Sequence, residues 1–91
     1  MIHVLKTWPE SFSAIIDGSK KHEVRVNDRD FAVGDVLVLM EWRPASNETL
    51  GSYTGRTTAA KVTYVTRGSE SRGSEWGIPG DLCVMSLGPI Q

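Results

Sequence analysis

The sequence predicts an α+β domain: a small, bent β-barrel of about five strands with one N-terminal helix. Three observations predict it. Five stretches carry the alternating or continuously apolar pattern of strands, each bounded by turn-forming residues. One stretch near the N-terminus carries helical spacing instead. The strands after it follow one another without further helices, as in small curled sheets rather than wound parallel ones. Ninety-one residues are expected to form a single domain spanning 1–91.

Residues 2–6 alternate, with Ile2 and Val4 as the apolar side of an opening strand. Thr7-Trp8-Pro9-Glu10 reads as a helix start, with Pro9 at the first helical position, where its missing N–H has no partner to lose. Phe12, Ile15 and Ile16 fall on one stripe, and Gly18 is suited to end the helix in a left-handed cap. Residues 20–26 alternate again, placing His22, Val24 and Val26 on one side and Lys21, Glu23 and Arg25 on the other. Asn27-Asp28 marks a turn, and residues 31–35 form a second one. Val36-Leu37-Val38-Leu39-Met40 is a continuous apolar run, expected as a central strand covered on both faces.

After a loop over 45–52, residues 53–66 form a long β-branched and aromatic stretch that has to bend, at Gly55 or at Ala59-Ala60. Residues 67–80 read as a long loop, of the kind that is usually functional or mobile. Residues 81–87 close the chain as a last strand.

Composition narrows the function classes. The apolar fraction of 40% and charged fraction of 23% are ordinary for a soluble domain. Ten Lys and Arg against eleven Asp and Glu leave a formal charge of -1, without the global basic footprint of a non-specific duplex binder. An anionic partner must therefore meet a local basic patch. Cys83 is the one cysteine and is expected as a buried strand residue. No apolar run approaches the ~20 residues of a membrane span and no secretion signal opens the chain, so a cytoplasmic protein without membrane contact is expected. His3, His22 and Cys83 offer no ligand-spaced pair, so neither metal nor cofactor is expected. Phosphate-loop and nucleophile-elbow patterns are missing.

The charged residues concentrate between Gly18 and Asp30. Lys20 lies three positions before Glu23, which in a fully extended strand puts the two on opposite faces. Lys20 joins the Glu23 and Arg25 face only if the chain is still turning out of Gly18. Two readings stand. Either Lys20, Glu23 and Arg25 line a polar cleft, with Glu23 orienting two cations, or they form a solvated strand face with a weak surface ion pair. Asn27-Asp28-Arg29-Asp30 has the side chains of a self-bonding turn, in which Asp28 can pair with Arg25 or Arg29. Trp8, Trp42 and Tyr53 stand at element ends, suited to stacking on bases. Trp8 equally suits a core position beside Pro9.

Gly18, Lys20, Glu23 and Arg25 match the G-x-K-x-x-E-x-R signature of the ASCH domain, a small β-barrel superfamily related to the PUA fold. The blocks His3-Val4-Leu5-Lys6, Glu23-Val24-Arg25, Gly34-Asp35-Val36-Leu37, Glu41-Trp42 and Tyr53-Thr54-Gly55-Arg56 extend the resemblance to DUF3850, an ASCH-like family, over residues 1–88. The resemblance implies a PUA-like barrel and an RNA- or nucleotide-binding role in a cleft beside the helix. On that expectation Lys20, Arg25, Arg29 and Arg56 contact phosphate, Glu23 holds Arg25 or accepts from a base, and Trp8, Trp42 and Tyr53 stack.

Some ASCH relatives are described as ribonucleases or DNA binders. Others are small amidohydrolases of N4-acetylcytidine that use a lysine, a threonine and a glutamate. Lys20 matches that lysine, while Glu23 stands where the threonine would. If the chain is such an enzyme, Lys20 and Glu23 are its expected catalytic residues, with Thr54 or Ser19 as replacement hydroxyl and Glu70 or Glu75 as distal acid. A module with a protein partner is the third reading.

Overall fold

The computed structural model describes residues 1–70 and 75–90. In chain order the elements are β1 (Ile2–Thr7), α1 (Pro9–Asp17), β2 (His22–Val26), β3 (Val36–Arg43), β4 (Ser52–Arg67) and β5 (Leu82–Gly88). The five strands form one sheet in the order β1-β3-β4-β5-β2. β1 runs parallel to β3, with Ile2 opposite Val36 and Thr7 opposite Glu41. The other three pairings are antiparallel. A parallel neighbour demands a crossover, and here α1 and β2 make it. The sheet curls into a half-barrel with β1 and β2 as its unpaired edges.

Leu5, Phe31, Leu37, Leu39, Val62, Val65, Cys83 and Met85 fill the concave side as one core. Phe12 of α1 is also fully buried, and Ile15 packs against the core from the helix. Ile16 is 52% exposed, so the apolar stripe of α1 is narrower than its sequence spacing predicts. Gly18 takes φ 85 and caps the helix, its N–H donating to the Ile15 carbonyl at 3.2 Å. Glycine adopts that backbone without the Cβ clash that most other residues meet there.

β1 turns the opposite face inward from the one its sequence suggests. His3, Leu5 and Thr7 are buried, while Ile2 and Val4 are exposed. The reason is a partner for the histidine. His3 Nε2 lies 2.8 Å from Asp35 Oδ2, and its ring meets Phe31 edge-on at 4.7 Å. That hydrogen bond holds the Asp35 carboxyl down at about 2 against burial, helped by the Met1 amino group and the Ala32 N–H. A buried polar group with its bonds made carries little penalty.

β3 departs from expectation too. Leu37 and Leu39 are fully buried, but Val36, Val38 and Met40 are half-buried, so only one face of the strand is closed. β4 bends where a glycine permits it. The β3–β4 register slips between Met40 and Trp42, leaving Thr54, Gly55 and Arg56 bulged opposite Glu41, and Gly55 takes φ 93. Ala59 and Ala60 stay in regular pairing with Val38 and Leu37. A second irregularity in β4 lies between Val62 and Tyr64. Cys83 is buried, as its strand setting predicts.

Candidate functional site

β2 carries its charges inward. Glu23 and Arg25 are cross-strand partners of Met85 and Cys83, which are both core residues, and direct partners share a sheet face. The aliphatic Val24 and Val26 therefore point out, at 47% and 50% exposure. Glu23 is 3% exposed.

That carboxylate is held on both oxygens. Arg25 Nε donates to Oε2 at 2.6 Å and Lys20 Nζ to Oε1 at 3.3 Å. Lys20 reaches it because it precedes β2: its backbone N–H still bonds the Ala14 carbonyl of the helix end. Lys20 Nζ also donates to Ser11 Oγ at 3.1 Å. The trio thus lines a cleft rather than a solvated face.

Arg25 also crosses the open side of the barrel. Its Nη2 donates to the Lys6 carbonyl at 2.6 Å and approaches Thr7 Oγ1 at 3.4 Å. Arg29 Nη1 donates to the Val4 carbonyl at 3.0 Å. The odd-numbered residues of β1 face β3, shown by the Val36 N–H bonding the Met1 carbonyl, so the carbonyls of Val4 and Lys6 point out of the sheet edge. Two arginines from the β2 side satisfy them in place of a strand.

The cleft between β1, β2 and the start of α1 encloses about 260 Å³. Besides the trio it is lined by Lys6, Thr7, Trp8 and Ser11, which brings three cations against one carboxylate. Trp8 precedes the helix with no side-chain cap and is 63% exposed, at the rim rather than in the core.

The remaining expected site residues lie elsewhere. Trp42 and Tyr53 meet edge-to-face at 4.9 Å, and Lys6 Nζ sits 4.0 Å over the Trp42 ring, so that indole is already engaged. Lys6 joins this pair to the cleft. Arg56 lies with its guanidinium 4.9 Å from the Phe12 ring and Nη1 3.8 Å from Glu41. Arg29 lines an adjoining groove. Ser19 Oγ bonds the Ala14 carbonyl and Thr54 Oγ1 bonds Glu41; neither lines the cleft. Glu70 pairs with Arg67 at 3.4 Å, and neither it nor Glu75 lines the cleft.

Glu41 is a buried acid outside the expected site residues, although its spacing carries a signal. It is 5% exposed and accepts a 2.6 Å bond from Thr54 Oγ1. Period two puts it on the face of Leu37 and Leu39, and the bulge at Gly55 turns Thr54 and Arg56 toward it. Lys6 and Ser11 are further cleft residues outside the expected set, since each reads as an ordinary surface residue of its element. Among the described residues no three His, Cys, Asp or Glu side chains gather into a metal-binding group, and no helix is long and apolar enough to cross a membrane.

Two comparisons with known proteins bear on the chain. The family described as "Domain of unknown function (DUF3850)" matches residues 2–87. The "Uncharacterized 12.9 kDa protein in GpA 3'region" of Escherichia phage P2 is 37% identical over 65 residues, covering 71% of this chain and 54% of that protein. The chain thus spans about half the length of that relative.

Proposed function

The chain belongs to the DUF3850 family, and from its cleft we propose that it is an ASCH-type, PUA-like module that binds RNA or nucleotides through their phosphates. One observation carries the reading: Glu23 is fully committed to Arg25 and Lys20, yet both cations keep donors to spare. Arg25 Nη1 makes no hydrogen bond among the described residues. Among the described residues Lys20 uses two of its three N–H groups. The buried carboxylate fixes the two cations in place, and their unspent donors suit an anion whose oxygens accept charge-assisted bonds. Lys6 adds a third positive charge at the rim, and Trp8 offers an exposed ring for a base.

The test is single-stranded RNA binding across a salt series. Lys20→Ala and Arg25→Ala should each weaken binding and flatten the dependence of log K on log salt by about 0.7 per lost phosphate contact. Unchanged affinity and slope in both variants contradict the proposal.

A second reading is amide hydrolysis of a modified nucleoside such as N4-acetylcytidine, favoured by Ser11. Its hydroxyl stands 3.1 Å from Lys20 Nζ, whereas Thr54 and Ser19 are engaged outside the cleft. Incubating the protein with N4-acetylcytidine decides it, since no cytidine above the buffer control rejects the reading.

A further inference from the structure

The open side of the barrel continues beyond the phosphate cleft. Between β1 and β2 lies a second groove of about 380 Å³, which shares Val24 and Arg25 with the cleft. Its character differs. Leu5 and Phe31, both buried, form its floor together with Leu82. Asp28 and Arg29, adjacent in the turn after β2, stand on its rim. Asp28 makes no hydrogen bond or ion pair among the described residues. Arg29 spends Nη1 on the Val4 carbonyl, and its Nη2 and Nε make no hydrogen bond among the described residues.

A groove with an apolar floor, the Asp28 carboxylate and Arg29 guanidinium on its rim and Arg25 at its junction with the cleft is complementary to a flat ring that has donors on one side and acceptors on the other. Guanine fits that pattern. Its O6 and N7 accept from an arginine in bidentate fashion, and its N1–H and N2–H₂ present paired donors to a carboxylate. Adenine shows an acceptor and a single donor on the matching edge. Arg25 lines both spaces, so the phosphate and base of one nucleotide can occupy them together.

We infer that the groove between β1 and β2 is a base slot selective for guanine, with Asp28 and Arg29 reading the base. The inference rests on the nucleotide-binding reading and names the ligand class for it. The barrel stays open here because the Val4 and Lys6 carbonyls are already satisfied by Arg29 and Arg25, so no strand is needed to close it.

Calorimetric titration of the whole chain with GMP, AMP, CMP, UMP and inorganic phosphate tests the inference. GMP should bind at least about tenfold tighter than AMP, as one good bidentate contact provides. Asp28→Asn should erase most of that ratio. The ratio is read because removing a carboxylate raises affinity for every anion alike. If the four nucleotides bind within about twofold of one another, or another base is preferred, the guanine slot is overturned while phosphate binding stands. If neither phosphate nor any nucleotide binds, the phosphate cleft itself fails and the slot fails with it.

Discussion

Arg25 Nε stands 2.6 Å from Glu23 Oε2, two positions along the inward face of one strand, with the Glu23 side chain buried at the back of the cleft. A buried carboxylate is costly alone, and breaking such a pair leaves its partners uncompensated. Glu23, Arg25 and Lys20 therefore behave as one unit, in which the anion positions the cations.

Glu23→Ala should destabilise the fold by about 3 kcal/mol, the lower end of what breaking a buried pair costs, because Arg25 and Lys20 keep some solvent contact. Glu23→Gln should lose less, since the amide oxygen still accepts. Urea denaturation measures both. A loss below about 0.5 kcal/mol for the alanine variant would mark the contact as a surface pair.

Acid should unfold the protein partly through Asp35. Its carboxyl is held at about 2 in the folded state, chiefly by His3, below the ordinary 3.8 of a free aspartate. The unfolded chain then binds the proton more readily, so the stabilisation is fully present above pH 3.8 and is lost as pH falls toward 2. Stability measured between pH 5 and pH 2 should fall more steeply in the native chain than in Asp35→Asn. Equal slopes would place the acid sensitivity elsewhere.

Gly55→Val should cost about 1 to 2 kcal/mol, the strain of a branched side chain at positive φ. It should also move Thr54 away from Glu41. Gly55→Asn should cost less, because asparagine visits that region more readily. Thermal melts of both variants check the ordering, and a valine variant as stable as the asparagine one would show that the bulge can relax.

Much of this architecture is legible in the sequence because local rules act alone there. Pro9, Phe12 and Gly18 delimit α1, and Gly55 marks the bend of β4. Lys20, Glu23 and Arg25 do meet, since Lys20 is still leaving the helix when β2 begins. Tertiary partners decide the rest. The strand pattern of β1 cannot show that His3 belongs inside, because its partner Asp35 lies 32 residues away. Period two places Glu41 on the inward face, but its partner Thr54 becomes visible only once the bulge at Gly55 brings the two together. Trp42 looks free to stack a base because Lys6, which covers it, lies on a different strand.

The most direct test of the phosphate cleft is an amide ¹H–¹⁵N spectrum of the chain titrated with inorganic phosphate at low salt. Saturable shifts centred on Ser11, Lys20, Glu23 and Arg25 are expected, and Lys20→Ala should abolish them. Shifts confined to the opposite side of α1, around Ile15 and Thr58, or no shifts at millimolar phosphate, would contradict it.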